Sequence, residues 1–290
     1  MSRTPKFYEN IKALRARYFE LLPGKESLVQ LLNEAEIPEH VYNSNAIENS
    51  TLSLEETEKI LLKIDLARFV SEREIYEAKN LALVMDYIEK KSKTCELNEE
   101  LMLVLHKMLL GNINADIAGR FRKMDEWVRV GAYIAANPTE VPTLLTTMLH
   151  EYKIDPTESI VKRIARFHLT FEHIHPFCDG NGRIGRVLNN FLLLKEDYVP
   201  INIAFTNRAE YYQAFKEFDA NGDTLTMEYI VGYAISNSYH KRLAYMEGKK
   251  NVPLSVYAKQ VKQSLSNLLN KAHRQTIPAF QEKGVWKIGV

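Results

Sequence analysis

The chain has 290 residues, with 38 Lys and Arg against 37 Asp and Glu, and two cysteines, Cys95 and Cys178. That near-neutral balance argues against broad electrostatic attraction to nucleic acid, and two cysteines cannot build a disulfide framework. No stretch of about 18 apolar residues offers a membrane span, and residues 1–10 lack an apolar signal core, so a soluble cytoplasmic protein with no membrane partner is expected. Most of the chain reads as helix, with apolar positions three and four apart over 11–22, 57–66, 76–88, 101–110 and 141–152. Ser53 with Glu56 predicts a capping box, and Asn98 predicts a cap for the run that follows it. Alternation through Trp127-Val128-Arg129-Val130-Gly131 predicts a short hairpin, the main strand candidate. Further helices are expected over 156–173, 183–195, 208–218 and 227–246. Composition shifts near 247–251. Beyond it lie an amphipathic helix over 257–272 and two strand-like runs, 276–280 and 285–288, split by Glu282-Lys283-Gly284.

Residues 175–186, His-Pro-Phe-Cys-Asp-Gly-Asn-Gly-Arg-Ile-Gly-Arg, are dense in chemistry. Gly180 and Gly182 let the backbone turn tightly, and a glycine-rich turn entering a helix is a phosphate cradle. Asn181 between them tolerates a left-handed conformation or donates its side-chain amide to phosphate. Arg183 and Arg186 lie three apart, on one helix face, and suit successive phosphates. Asp179 is a hard oxygen ligand for Mg2+, and His175 is the proton acceptor suited to neutral pH. Cys178 has no activating neighbour in sequence, and Glu172, His173 and His175 lack the second cluster that a zinc site needs. These groups suffice to move part of a nucleoside triphosphate onto a hydroxyl.

The segment resembles the Fic-domain signature, His-x-Phe-x-(Asp/Glu)-Gly-Asn-Gly-Arg-x-x-Arg, at every fixed position. The resemblance implies an all-α fold with a β-hairpin flap, the motif following one helix (Ile160, Ile164, Phe167, His168 and Phe171 supply its pattern) and opening the next. It implies transfer of AMP from ATP, with Mg2+, to a Ser, Thr or Tyr hydroxyl of a protein target, the chain itself included. His175 is then the general base, Asp179 the metal ligand, and Gly180, Asn181, Gly182, Arg183 and Arg186 the phosphate binders. Kinases of the same fold carry lysine at the second glycine, so Gly182 favours AMP transfer.

Ser44-Asn45-Ala46-Ile47-Glu48-Asn49 resembles the family's inhibitory pattern, (Ser/Thr)-x-x-x-Glu-(Gly/Asn). It implies that Glu48, on a helix near 39–49, pairs with Arg186 and withholds it from the γ-phosphate. By the same resemblance Val128, Arg129, Val130 and Gly131 line the nucleotide or target cleft, and Tyr211 and Tyr212 border the base or ribose, although paired tyrosines on a helix equally suit core packing. The implied division is 1–95, an N-terminal helical region; 96–247, the catalytic domain; and 248–290, a helix with a hairpin. Many relatives end in a winged helix, but the 40 or so residues here look short of a complete one. A partial winged unit and an arm packed on another subunit are both open, homo-oligomers stay compatible, and nucleic acid is not expected as a partner. The alternatives carried forward are removal of AMP at the same site, transfer of UMP or another phosphate-linked group, and a nucleotide-sensing or toxin–antitoxin-like regulator.

Overall fold

A computed structural model describes residues 7–131 and 133–290, so the start of the 1–95 region lies outside the described residues. Among the described residues there are twelve α-helices: α1 Phe7–Leu21, α2 Glu26–Ile47, α3 Leu54–Leu61, α4 Glu72–Lys91, α5 Glu99–Leu110, α6 Val141–Ile154, α7 Ile160–Ile174, α8 Asn181–Lys195, α9 Arg208–Asn221, α10 Leu225–Met246, α11 Leu254–Gln260 and α12 Leu265–His273. Five short strands join them: β1 Arg129–Val130, β2 Tyr133–Ile134, β3 Asn251–Pro253, β4 Ala279–Glu282 and β5 Val285–Gly289. The helical class with a short flap hairpin is what the fold shows, and the C-terminal strands are an addition to it. Among the described residues no helix is long and apolar enough to cross a membrane.

Local chemistry explains the boundaries. Ser53 accepts from the Glu56 N–H at 3.2 Å while the Glu56 carboxylate accepts from the Ser53 N–H at 2.8 Å, the reciprocal box expected there. Asn98 Oδ1 accepts from the Leu101 N–H at 2.8 Å. The expected helix over 57–66 stops at Leu61, because Lys63 takes a left-handed φ of 59°. The one over 156–173 begins at Ile160, because Asp155 Oδ1 binds the N–H groups of Thr157 and Glu158 and closes a turn. The helix expected over 257–272 is two helices, interrupted where Lys262 has φ 53°.

The chain forms two compact units, Met1–Glu36 with Val199–Asn202 and Val231–Val290, and Ile37–Tyr198 with Ile203–Ile230. In the first, Arg242 is fully buried and its guanidinium is held by Glu36 Oε2 at 2.6 Å and Asn33 Oδ1 at 2.6 Å. Lys241 bridges Glu36 and Glu282 at 3.1 and 2.8 Å. Breaking such a buried pair strands a charge, so these contacts specify the packing of α10 on α2 within that unit.

In the second unit α7 and α8 form the centre, burying Ile164, Phe167 and Phe171 against Ile184, Leu188 and Phe191. Each such side chain contributes about 1.5–3 kcal/mol of burial. Side chains of α7 press on the backbone of α8 at Gly185, where a Cβ would lie 2.5 Å from Glu172 Oε1 and 2.9 Å from His168 Cε1. Gly185→Ala is therefore expected to destabilise by about 1–3 kcal/mol, as overpacking does. Thermal unfolding should show a midpoint lowered by several degrees, and an unchanged midpoint would remove this crossing as a constraint.

Candidate active site

Helix α7 ends on His175, whose φ of 52° breaks the helix and turns the chain into the loop 175–180. Arg122 holds that end. Its guanidinium donates to the carbonyls of Ile174, His175 and Ala136, at 3.2, 2.8 and 2.7 Å, and its N–H donates to Pro176 O at 2.9 Å. A cation on the last carbonyls of a helix complements its dipole. The Nδ1 of His175 lies 3.3 Å from the Glu172 carbonyl, which can only accept, so Nδ1 carries the proton and Nε2 presents a lone pair. Burial, with a smaller part from Arg122, pushes this imidazole down to about 4, so it is neutral at pH 7.

The loop is clamped from within. Asn181 Oδ1 accepts from the Phe177 N–H at 2.9 Å and Asn181 Nδ2 donates to the Phe177 carbonyl at 2.8 Å. This corrects both expectations for that residue. Its side-chain amide is spent on the loop, and the left-handed residue is Gly180, with φ 82°, while Asn181 is the first residue of α8. What Asn181 offers an anion is its main-chain N–H, together with those of Gly182 and Arg183, which lack intrahelical acceptors in the first turn. His106 of α5, which the sequence reading missed, accepts from the Gly119 N–H at Nδ1 and donates from Nε2 to the Asp179 carbonyl, both at 3.0 Å. Its ring stacks on Phe177 at 3.8 Å.

The end of α2 reaches the same place. Asn49 takes φ 70°, its N–H donates to Ala46 O, and the Ser50 N–H donates to Asn45 O, both at 3.0 Å. This left-handed ending accounts for Asn, or Gly, after the glutamate. Glu48 is thereby the capping residue, and its Oε1 lies 2.9 Å from Arg186 Nη2. A Cβ on Gly182 would sit 2.1 Å from that oxygen, so the carboxylate stands directly over the first turn of α8. Arg186, buried, also donates to Ser44 Oγ and Ser44 O, both at 2.9 Å, and to the Tyr211 hydroxyl at 3.1 Å. Glu48 and the Tyr211 oxygen favour its charged form, which burial alone would oppose.

Tyr211 is a correction. It is 1% exposed, and its hydroxyl bridges Arg186 to His168 Nε2 at 2.6 Å, so it positions the arginine and does not border the cleft. Tyr212 is partly exposed and donates to the Ile47 carbonyl at 3.2 Å, bracing the end of α2. Arg208 donates to Asn49 Oδ1 at 2.6 Å beside it.

A cleft of about 530 Å³ brings together Glu48, His175, Asp179, Gly180, Gly182 and Arg183. Of the flap residues, Val128 and Arg129 line it, and Val130 and Gly131 do not; β1 and β2 pair antiparallel with Val130 opposite Tyr133. Arg183 and Arg186, three apart, diverge. Arg183 turns to Asp179 Oδ1 at 3.2 Å and Glu77 at 3.0 Å. Arg73 of α4 binds the other Asp179 oxygen at 2.7 Å; burial is the largest single influence and pushes the Asp179 carboxyl up, but Arg183, Arg73 and the Gly180 N–H together hold it below its usual range. Arg73 and Glu77 line the cleft and were not singled out from the sequence, where α4 shows only an ordinary charged helix. Cys178 donates to Glu126 at 3.4 Å and burial raises its pKa, which fits a passive thiol. Among the described residues no group of three or more His, Cys, Asp or Glu could hold a metal by itself. Asp179, whose two oxygens rest on Arg73 and Arg183, is a hard oxygen donor beside the glycine turn and suits Mg2+, which keeps water and phosphate oxygens as its main ligands.

Residues 96–193 match a family model described as the Fic/DOC family. The chain is similar to a protein adenylyltransferase Fic of Drosophila grimshawi, 32% identical over 61% of this chain, and it spans only 37% of the length of that relative. It is also similar to a probable protein adenylyltransferase of Aquifex aeolicus, 28% identical over 91% of this chain and 88% of the relative. A solved Fic domain containing signaling protein from Bacteroides thetaiotaomicron shares the fold, with a TM-score of 0.74 and 24% identity over 83% of this chain and 99% of the other.

Under the catalytic loop, Glu172 is buried and its Oε1 has no hydrogen-bond partner. Burial, reinforced by the charge of Glu48 and opposed by Arg186, pushes its carboxyl up to about 8. The folded chain thus keeps a proton that the unfolded chain releases near 4.5, so this group's contribution to stability falls as pH rises from 4.5 to 8. Glu172→Gln mimics the protonated form. Its thermal midpoint relative to the parent should rise from about pH 5 to about pH 8, and a pH-independent difference would show an ionised Glu172.

Proposed function

We propose that the chain, whose residues 96–193 match the Fic/DOC family model, is a protein adenylyltransferase that moves AMP from ATP to a Ser, Thr or Tyr hydroxyl of a protein target and is restrained by Glu48. The observation that carries this reading is one cleft holding a neutral His175, the open first turn of α8 and a carboxylate 2.9 Å from Arg186.

In this mechanism His175 Nε2 takes the proton of the target hydroxyl. The hydroxyl oxygen bonds to the α-phosphorus as the bond to the β-phosphate oxygen breaks, and pyrophosphate leaves. Main-chain N–H groups of Asn181 and Gly182, with Arg183, hold phosphate oxygens, and positioning of this kind is the main source of rate in phosphoryl chemistry. Bound Mg2+ would neutralise phosphate charge, and Asp179 would hold it. The free edge of the flap hairpin offers backbone groups to an extended target segment, and strand addition of this kind aligns a hydroxyl.

While Glu48 occupies Arg186 and the space over Gly182, the γ-phosphate has no partner there, so ATP settles with its α-phosphate out of line with the hydroxyl. A charge-assisted contact of about 1.5–3 kcal/mol corresponds to roughly one to two decades of competent population. Incubation with ATP labelled at the α-phosphate should label protein about 10- to 100-fold more strongly with Glu48→Gly than with the parent. In that released background His175→Ala should lose about 10²- to 10⁴-fold while still binding ATP. Arg186→Ala should not reproduce the gain. Label carried from the γ-phosphate would make the reaction a kinase, and binding without any label would make the chain a sensor. Release of AMP from a premodified protein would favour the reverse activity. Equal labelling by parent and Glu48→Gly at every ATP concentration would sink the restraint.

The pH profile follows from the base. A histidine held near 4 is already in its proton-accepting form at neutral pH. The single-turnover rate of the Glu48→Gly form is therefore expected to be flat from about pH 6 to 8 and to fall below about pH 5. A rate that climbs tenfold per unit up to pH 7 would mean that the working base is another group, or that His175 is charged in the complex.

A further inference from the structure

Four charged side chains lining the cleft close into a ring. Arg73 Nη2 lies 2.7 Å from Asp179 Oδ2, and Arg73 Nε lies 3.0 Å from Glu77 Oε1. Glu77 Oε1 lies 3.0 Å from Arg183 Nη1, and Arg183 Nη2 lies 3.2 Å from Asp179 Oδ1. Charges alternate around the ring, so each acid touches two cations and each cation two acids. Both oxygens of the carboxylate suited to Mg2+ are thus held by guanidinium groups.

The two arginines are not equivalent. The side chain of Arg183 is 4% exposed on α8, whereas that of Arg73 is 56% exposed at the start of α4. Arg73 is the member that solvent reaches, and an exposed ion pair is weakly held. Local helix energetics do not account for an arginine there. Ser71 caps α4 and Arg73 is its second residue, where the positive end of the helix dipole disfavours a cation. Its pair with Glu77 places the cation before the acid, the weaker order for an i, i+4 contact. An arginine that breaks both preferences is explained by what it meets from a distant segment, Asp179. Glu48, Glu74 and Glu77 line the same cleft, so an Asp179 without a cation would add a fourth acid to a place that must admit a triphosphate.

We propose that Arg73 is a placeholder for the divalent cation: its guanidinium neutralises Asp179 until Mg2+ takes its place. The Glu77 contact does not depend on Asp179, so the displaced side chain keeps an anchor on its own helix. Nucleotide binding becomes conditional on the metal through a contact separate from that of Glu48 with Arg186. The inference rests on Asp179 as the Mg2+ ligand of the function proposed above.

The test is binding of Mn2+, a spectroscopic probe for the Mg2+ site, to the whole chain without nucleotide, read by loss of the free-ion electron paramagnetic resonance signal. Arg73→Ala should bind about three- to tenfold more tightly than the parent, with a gain that shrinks as salt is raised, because the pair is exposed. Arg73→Lys keeps the charge but lacks the planar fork that holds Asp179 and Glu77 together, so its affinity should fall between those two. Nitrogen NMR of the Arg73 guanidinium in the parent should show a shift on addition of Mg2+ that saturates together with metal binding. Both variants should keep the parent's thermal midpoint to within about two degrees. Asp179→Asn separates the two readings. Mn2+ binding lost in Asp179→Asn but unchanged in Arg73→Ala would overturn the placeholder and leave Asp179 as the metal ligand. Unchanged binding in Asp179→Asn would remove the metal from Asp179, and the placeholder with it. Equal affinity of Arg73→Lys and the parent, or an Arg73 signal indifferent to Mg2+, would show that nearby charge matters and the contact does not, which also overturns the proposal.

Discussion

A buried guanidinium must be neutralised, and most of the site is arranged around doing so for Arg186. Its partners come from two separate stretches of chain: Ser44 and Glu48 at the end of α2, and Tyr211 on α9. His168 on α7 continues the chain through the tyrosine hydroxyl. The Ser44 carbonyl and hydroxyl remain as neutral partners whatever Glu48 does, so the glutamate is the one charged, partly exposed member of the set. That difference makes it the member that can leave at least cost, because the remaining hydrogen bonds keep the arginine satisfied.

Backbone conformation does comparable work. Three left-handed residues, Asn49, His175 and Gly180, stop or start three of the helices that meet at the cleft. Only one is glycine, and at Gly180 a Cβ would also meet Leu109 Cδ2 at 3.2 Å. His175 accepts an unfavourable φ for a β-carbon-bearing residue, held there by the Arg122 bonds to its own and neighbouring carbonyls. The His175 imidazole is therefore aimed by the main chain more than by its own hydrogen bonds.

The twelve-residue motif made the candidate site legible, since its spacing alone puts a histidine, a carboxylate and a glycine turn within one loop. Helix existence was legible from periodicity, and the Ser53 and Asn98 caps from residue type. What stayed hidden is long-range. Arg73 and Glu77 look like a common surface i, i+4 pair, and nothing local says that they face Asp179, on a loop distant in sequence. His106 sits in an apolar helix and reads as core until its two ring nitrogens are seen to join Gly119 to Asp179. Tyr211 was ambiguous because burial and cleft lining share one sequence pattern, and only its hydroxyl partners separate them.

The unit that holds the tail also contains residues before position 37, so its two main segments bracket nearly all of the other unit in sequence. Contacts at such separation close late, because the loop entropy must be met before they add stability. During synthesis, residues 37–230 can assemble their own core while the earlier segment, with Asn33 and Glu36, still waits for Arg242 to emerge. The order of translation therefore lets the larger unit complete before its companion and makes nascent chains stalled beyond position 230 the natural place to look for a half-folded intermediate.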